Sequence, residues 1–477
     1  MNKIVFSLAF IAACIASNAQ TVTLMKGGDY VTSYTEDEVD KVVFSEMTPD
    51  DYVNKAKKIA SKDGGVVVTA STPSYDASSQ IASKGTGSVD GDESGNKWVG
   101  QVINVYMLNE GTTELAKNSS DQPLYDNQLV YTPGNPNVES PATNKGLTYR
   151  TDGSSVYYPE SGQYDFFGYY LGLSDPSEMM ANAVRTSDQI YVPFTIDGAM
   201  DLMLAKTDKA KDISSAGSTL TTDEVYSVDA AKQKVQPNLA FSHKLTKLVF
   251  STKAGNTPSV TNASTYTIDP QIIEKKNGGE YTVPEEDKNE EGMVSTGIYV
   301  DKIEVYSARN GKMYVVDYSN GNTDPNQHID WTITGDETTD YAFHPLKQRK
   351  EGDTGLEDLE TLKTTTLKSM EEYQQVGDAL FVAPQTREER GTNEYKVRVA
   401  LHQYVSASDY VHYHPYFSQL NFTVTLPQES STGETILDTT GHAFNIKLNI
   451  FSYLHIEAST NWEKEWKNGG SAEIGSE

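Results

Sequence analysis

The chain has 477 residues, of which 37% are hydrophobic and 22% are charged. This composition supports a buried core and excludes a wholly disordered chain, and the length predicts two or three domains. The formal net charge of −28 argues against nucleic acid or anionic lipid as a partner, because both bind basic surfaces. The single cysteine excludes an intramolecular disulfide and a cysteine-based zinc site.

The amino terminus, residues 1–19, predicts a signal peptide. Lys3 precedes an apolar stretch at residues 4–13, which is too short to span a bilayer. Two processing sites fit the pattern. Signal peptidase would cut between Ala19 and Gln20, whereas a lipobox would end at Cys14, whose side chain would be lipidated. Both predict an exported protein, and the membrane is a partner only through the lipid anchor of the second.

The rest of the sequence has the pattern of strands. Residues 21–47 predict short strands, and residues 48–59 predict a helix. After residue 64, β-branched and aromatic runs follow a period of two and are separated by Gly, Pro, Asn and Ser. The predicted strands are residues 66–69, 99–108, 129–131, 156–158, 164–170, 245–252, 298–306, 313–318, 395–404, 420–426 and 444–456.

Three polar segments interrupt these strands. Residues 206–237 separate two β-rich halves, and residues 275–292 and 347–360 are charged and predict solvated loops. The sequence therefore predicts an all-β protein with two antiparallel β-sandwich domains in tandem. The predicted parts are a signal peptide at residues 1–19, a short β/α extension at 20–64, and domains at 65–235 and 236–477.

Few residues in the sequence suggest a catalytic or metal-binding role. The motifs of zinc proteases, serine hydrolases and nucleotide-binding loops are absent from the sequence. Asp90, Asp92 and Ser94 resemble the start of a calcium loop, but Gln101 stands where a bidentate Glu is needed, so an acidic loop is favoured.

Two histidines form the other candidate site. His412 and His414 fall on one strand face, a spacing that suits zinc or copper, but no third ligand can be named, so surface or interface histidines are favoured. We therefore predict no catalytic residue, no cofactor and no metal. An enzyme is the third-ranked alternative, because a glycosidase, for example, needs only two carboxylates and no motif of the kind listed above.

Six segments resemble the strand motifs of the Bacteroidota fimbrillins. Residues 98–106 (WVGQVINVY) resemble the W-x-G-D-x-I-x-V-Y strand, and residues 157–170 (YYPESGQYDFFGYY) resemble the hairpin that begins with Tyr-Tyr-Pro. The others are residues 201–205 (DLMLA), 241–248 (FSHKLTKL), 380–385 (LFVAPQ) and 441–448 (GHAFNIKL), the last followed by Trp462. Each motif alone is weak, but all six occur in the order that the family has.

The resemblance implies a transthyretin-like, non-enzymatic subunit of a type V pilus at the cell surface and outer membrane. It also implies that a trypsin-like protease cuts between residues 41 and 62, with Lys57, Lys58 and Lys62 as candidates. The vacated groove would then take a strand from another fimbrial subunit, which is donor-strand exchange.

Two segments near the carboxyl terminus bear on the type of subunit. Residues 463–477 do not alternate and make a poor donor strand, and residues 444–456 are apolar enough to be needed in their own core. An adhesive tip or accessory subunit therefore stays open beside a stalk subunit. The alternative function is a monomeric exported surface protein that binds a glycan or another ligand.

Overall fold

The structure is a computed structural model. It describes residues 21–26, 29–35, 64–66, 68–71, 101–132, 146–147, 149–150, 155–172, 177–254, 298–331, 336–349, 356–358, 362–363, 373–385, 393–406, 413–427, 435–452 and 455–463.

Strands make up most of these residues. They are β1 (Thr21–Lys26), β2 (Asp29–Thr35), β3 (Gly65–Val66), β4 (Thr69–Ser71), β5 (Gln101–Asn109), β6 (Gln128–Thr132), β7 (Gly146–Leu147), β8 (Tyr149–Arg150), β9 (Val156–Tyr157), β10 (Tyr164–Tyr170), β11 (Val184–Arg185), β12 (Gln189–Thr195), β13 (Met203–Thr207), β14 (Asn238–His243), β15 (Thr246–Ala254), β16 (Ile298–Ala308), β17 (Asn310–Asp317), β18 (His328–Asp330), β19 (Tyr341–Pro345), β20 (Lys347–Arg349), β21 (Leu356–Asp358), β22 (Leu362–Lys363), β23 (Gln374–Val382), β24 (Glu394–Ser406), β25 (Tyr413–Thr425), β26 (Ala443–Ser452) and β27 (His455–Glu463).

The helices are short. They are α1 (Ser177–Ala181), α2 (Lys209–Ala216), α3 (Val228–Lys232) and α4 (Glu337–Asp340), with 3-10 turns at Thr222–Glu224 and Ser319–Gly321. Asp208 caps α2, because its side chain accepts a hydrogen bond from the Lys211 backbone N–H. No helix among the described residues is long and apolar enough to cross a membrane.

An eight-stranded sheet forms the centre of the amino-terminal half. Its strand order is β7-β4-β14-β13-β10-β5-β6-β8. Successive side chains of β10 point to opposite faces, so Phe166 joins one apolar cluster while Phe167 joins another. Because both faces are covered by apolar side chains, β10 is buried along almost its whole length.

The second cluster joins the two halves of the chain. It contains side chains of the eight-stranded sheet, of the β11-β12-β17-β18 sheet, and of β15, β23 and β26. Strand β12 precedes the predicted boundary at residues 235/236, whereas its partner β17 follows it. One sheet therefore includes strands from both sides of that boundary, which itself stays a prediction.

The carboxyl-terminal half is a sandwich of two sheets. One has the order β23-β15-β26-β27, the other has the order β19-β16-β24-β25, and β22 also pairs with β16. A third apolar cluster is built from the facing side chains of both sheets, such as Phe250 and Phe444 on one and Val305 and Val399 on the other. The all-β prediction is confirmed.

Several details correct the predicted elements. The run at 444–456 is not one strand but a hairpin of β26 and β27, which turns where Ser452 pairs with His455. Residues 347–360 do not form only a loop, because β20 and β21 pair with each other there. Two pairings are parallel rather than antiparallel, β4 with β14 and β15 with β26.

The polar segment at 206–237 also differs from an open connection between domains. It includes α2 and α3, and it contributes Val225, Tyr226 and Val235 to the first apolar cluster, where all three are fully buried. Only a minority of its residues are apolar, so their contribution to the core is not visible in the average composition. The predicted helix at 48–59 lies outside the described residues.

Candidate functional site

Residues 64–66 and 68–71, here called the segment at residues 64–71, enter an apolar core. Val66, Val68 and Ala70 alternate along it and are 2%, 0% and 0% exposed. All three belong to the first apolar cluster, whereas Thr69 between them is only half-buried. This alternation is the pattern of a strand with one face against a core.

Backbone hydrogen bonds hold the start of this segment. β3 is antiparallel to β9, with Gly65 opposite Tyr157 and Val66 opposite Val156. The Tyr158 backbone N–H donates to the Gly64 carbonyl oxygen at 2.8 Å, and Gln236 Nε2 donates to the Gly65 carbonyl oxygen at 3.0 Å. The Tyr-Tyr-Pro motif thus supplies one wall of the groove in which the segment lies.

The end of the segment lies between β14 and β7. The Thr69 backbone N–H donates to the Pro237 carbonyl oxygen at 2.8 Å, and Thr69 Oγ1 donates to Asn238 Oδ1 at 3.0 Å. β4 and β14 are parallel, so no hairpin can connect them, and Thr69 and Asn238 are 169 positions apart. The groove is therefore filled by a strand from a distant part of the sequence.

Aromatic side chains form the floor of this groove. The rings of Phe166 and Tyr226 meet edge to face at 5.5 Å, and those of Tyr158 and Tyr164 stack at 5.9 Å. Burial, followed by the nearby Tyr125 and Asp212, raises the pKa of Tyr158 well above its usual value. The tyrosine rings of the floor therefore stay neutral at physiological pH, which suits an apolar strand.

A buried carboxylate fixes the first residue of β14. Asp212 Oδ2 accepts hydrogen bonds from the Tyr226 hydroxyl at 2.7 Å and from the Asn238 backbone N–H at 2.8 Å. Asn238 in turn accepts a hydrogen bond from Thr69 on β4. Through Asn238, Asp212 therefore helps to position one edge of the groove.

Two other motif positions form a buried pair. His243 Nδ1 lies 3.0 Å from Asp201, and the two side chains are 4% and 0% exposed. They belong to two different fimbrillin-like motifs, which the register Met203–His243 brings together on neighbouring strands. Their position in the core indicates a structural role for the pair.

The predicted processing sites lie outside this description. The structure does not describe the lipidation, cleavage and processing candidates, which are Cys14, Ala19, Gln20, Lys57, Lys58 and Lys62. It also does not describe His412, one of the two candidate metal ligands. His414 lies on β25, opposite Val405. Within the described ranges, no group of three or more His, Cys, Asp or Glu could hold a metal ion.

Sequence reasoning found the strand at 66–69 but not its partners. The β-branched run at residues 66–69 indicated a strand, which the structure divides between β3 (Gly65–Val66) and β4 (Thr69–Ser71). Nothing in the local pattern names β14, because the partner of a parallel strand is set by the whole topology. The hairpin of β1 and β2 pairs only with itself among the described residues.

The family comparison decides the identity of the chain. Residues 93–338 match the model of the Fimbrillin-like family, and they are more than half of the 477 residues. The chain belongs to the fimbrillin-like family. It is thus a fimbrial or adhesion type of cell-surface protein, and the kind of protein that this family comprises is not enzymatic.

Solved structures resemble this fimbrillin-like chain weakly. A provisionally assigned cell adhesion protein from Bacteroides uniformis has 16% identity and a TM-score of 0.35, over 85% of this chain and 99% of that one. A cell adhesion protein from Parabacteroides distasonis, also provisionally assigned, has 11% identity and a TM-score of 0.35, over 84% of this chain and 100% of that one. The fimbrial anchor protein Mfa2 from Porphyromonas gingivalis has 9% identity and a TM-score of 0.20, over 81% of this chain and 90% of that one.

These identities and TM-scores are too low to support an argument about function, so the assignment rests on the family match. No curated protein sequence matches the chain.

Proposed function

We propose that this fimbrillin-like protein is a subunit of a surface fimbria that assembles with other fimbrial subunits by donor-strand exchange and serves adhesion. The observation that carries the proposal is the segment at residues 64–71. It fills an apolar groove with three alternating buried side chains, and its partner β14 is far away in sequence. A strand from a second subunit with the same alternation could make the same hydrogen bonds and the same apolar contacts.

Processing at Lys57, Lys58 or Lys62 would prepare this exchange. A cut there separates β1 and β2 from the rest of the chain and leaves residues 64–71 as the new amino-terminal segment. A strand tethered at one end can leave its groove at a lower cost than one tethered at both ends, because its freed residues regain conformational entropy. The vacated groove would then accept a strand from a neighbouring subunit.

The donor strand bears on the position of the subunit in the fimbria. β26 is a central strand with Phe444, Ile446 and Leu448 fully buried, so withdrawing it would expose the core of the sandwich. Residues 464–477 lie outside the described residues. An accessory or tip subunit, which receives a strand but donates none, therefore fits this chain as well as a stalk subunit.

The cellular location of the protein is part of the same proposal. We expect export to the outer membrane and the fimbria, after lipidation at Cys14 or cleavage between Ala19 and Gln20. The two routes differ in mass at the amino terminus, which mass spectrometry distinguishes.

Controlled proteolysis tests the assembly. The purified chain starting at Gln20 is treated with a lysine-specific protease, and the products are separated by size exclusion and by gel electrophoresis without boiling. We expect the cut chain, alone or mixed with other subunits of the same fimbria, to form complexes that resist detergent.

The matched control replaces every lysine between residues 41 and 62 by glutamine (K41Q/K55Q/K57Q/K58Q/K62Q). It should stay monomeric under the same treatment. A cut chain that remains monomeric with every fimbrial subunit added would contradict strand exchange and would favour the alternative, a monomeric surface protein that binds a glycan or another ligand.

A further inference from the structure

A long strand lies at one edge of the carboxyl-terminal sandwich. β25 (Tyr413–Thr425) is the last strand of the β19-β16-β24-β25 sheet, and among the described residues it pairs only with β24. This pairing includes all 13 residues of β25 and has no register shift. A long, regular edge strand presents a row of backbone groups with which another extended chain can pair.

The backbone groups of β25 alternate in direction. The Leu426 backbone N–H, just past the strand, donates to the Asn393 carbonyl oxygen at 2.8 Å, so the backbone groups of Leu426 face β24. In an antiparallel pair every second residue faces the partner strand, and the residues between them face away. The Thr425 carbonyl oxygen does face away from β24, because it accepts a hydrogen bond from Thr460 Oγ1 on β27 at 2.8 Å.

The open part of this edge has a defined start and end. Pro415 faces away from β24 but has no N–H, and the outward carbonyl oxygen of Thr425 already binds Thr460. Four residues between these two face away from β24 and make no backbone hydrogen bond on that side within the described chain. They are Phe417, Gln419, Asn421 and Thr423. The open edge is therefore symmetric about Leu420.

This edge lacks the features by which proteins commonly prevent edge pairing, which are short strands and charged side chains. Edge strands β7, β8, β11 and β18 have only two or three residues, and β27 carries Glu457 and Glu463. Apart from Pro415 near its start, β25 has neither protection. None of its 13 residues is charged, although 22% of the chain is. Thr423 is exposed, so solvent reaches this edge.

The open edge is complementary to a second copy of itself. A twofold axis at Leu420 places Gln419 opposite Asn421 of the second copy, and Phe417 opposite Thr423, with outward backbone groups facing each other in every pair. The carboxamides beside the axis both donate and accept hydrogen bonds. No like charges meet at this edge, although each chain has a net charge of −28, whereas a charged partner strand would find no counterion on β25.

We propose that β25 is a contact between two copies of this chain, which pair edge to edge and join their sheets into one antiparallel sheet. The inference goes beyond strand exchange and does not depend on it, because β25 lies in the other half of the chain and is present in the uncut protein. Either proposal can therefore fail alone.

The contact is small, because each copy contributes only four outward-facing residues. We expect a dissociation constant of about 0.1–1 mM, so the uncut chain is monomeric at the micromolar concentrations of size exclusion. Copies fixed along neighbouring fimbriae have a high effective concentration, so repeated weak contacts of this kind can hold fibres side by side.

Sedimentation velocity of the uncut chain, from Gln20 onward, tests the contact at about 0.005 and about 0.3 mM and physiological ionic strength. We expect a monomer at the lower concentration and a monomer–dimer equilibrium at the higher one. Thr423→Pro removes one outward N–H and should weaken the association at least tenfold. Its thermal midpoint should stay close to that of the unmodified chain, because this N–H takes no part in the pairing with β24.

The matched control is Thr423→Val, which keeps the N–H and should associate as the unmodified chain does. A second variant, Gln419→Lys, places a charge on the edge and should also weaken the association at least tenfold. This variant lowers the net negative charge, so a loss of association cannot come from greater repulsion between whole chains.

Disulfide formation tests the register. The Cα atoms of a hydrogen-bonded antiparallel pair lie about 5.5 Å apart, within the range of a disulfide. The chain from Gln20 onward contains no cysteine. A mixture of Gln419→Cys and Asn421→Cys chains should form mixed disulfides on oxidation, at a yield well above that of either variant alone.

Four results would overturn the proposal. They are a monomer at both concentrations, equal association of Thr423→Pro and the unmodified chain, an equal loss of association in Thr423→Val, and disulfide yields that are the same for the mixture and for each cysteine variant alone.

Discussion

The pair of Asp201 and His243 illustrates what single residues contribute to this fold. Both side chains are buried, and the carboxylate lies 3.0 Å from the ring nitrogen. Gly172 has φ of +64°, and a Cβ atom there would lie 2.4 Å from the Asp201 backbone nitrogen, so the adjoining turn can carry no side chain. The sequence marks Asp201 and His243 as motif positions, but only the fold shows that they are partners.

Removal of the Asp201 carboxylate should weaken the fold markedly. We expect Asp201→Ala to lower the free energy of unfolding by about 2–3 kcal/mol, because it leaves a buried polar ring without its acceptor. Urea unfolding measures this. The control is Asp126→Ala, which breaks the exposed ion pair with Arg185 and should cost less than about 1 kcal/mol. Equal losses in both variants would show that the buried pair has no special role.

His344 should make the stability depend on pH. Its side chain is 3% exposed, and burial lowers its pKa from the usual 6.5, against the opposing influence of backbone hydrogen bonds and Asp197. The folded state therefore binds this proton less readily than the unfolded state does. Stability is fully present above pH 6.5, the unfolded pKa, and falls as the pH drops below it.

Denaturant unfolding at a series of pH values between about 7.5 and 5 checks this dependence. The difference between the unmodified chain and His344→Gln isolates the contribution of this ring from those of the other histidines. The prediction fails if the two chains lose stability in parallel over that range.

At the scale of elements, the period of two in the sequence predicted most strands. Residues 164–170 coincide with β10, and the runs at 298–306 and 395–404 lie within β16 and β24. Local sequence is enough for these: β16 and β24 bury one face, and β10 is a continuous aromatic run that is buried on both faces. Both parallel pairs were missed, since strand order depends on contacts between distant residues. The resemblance implied a groove, but the strands that surround residues 64–71 could not be named, for the same reason.

Locking β4 in place should block assembly without blocking proteolysis. Ser71 and Ala240 are opposite each other in the parallel pair of β4 and β14. Because neighbouring strands lie about 4.8 Å apart, cysteines at both positions can form a disulfide. The chain from Gln20 onward contains no other cysteine. We expect the oxidised S71C/A240C chain to be cut by the lysine-specific protease but to form no complexes.

Reduction of the same sample is the control for this lock. Adding dithiothreitol should restore assembly to the level of the unmodified chain. Complexes that form equally well with the disulfide intact would show that residues 64–71 do not leave their groove.

At the scale of the whole molecule, the acidic surface should oppose the approach of two subunits. The formal net charge is −28, and the repulsion is screened beyond about 8 Å at physiological ionic strength. We expect the cut chain to assemble faster as sodium chloride is raised from about 0.01 to 0.15 M. Light scattering after addition of protease-treated protein measures the rate. A rate that does not respond to salt would show that charge does not limit the encounter.

The amino terminus and intact mass of the native protein test the central claim most directly. The protein is taken from outer-membrane and shed material, separated into monomer and high-mass fractions, and analysed by mass spectrometry. Strand exchange predicts that chains in the high-mass fraction begin directly after Lys57, Lys58 or Lys62, while longer chains remain monomeric. Chains that all begin at Gln20 and occur only in the monomer fraction would contradict assembly by strand exchange.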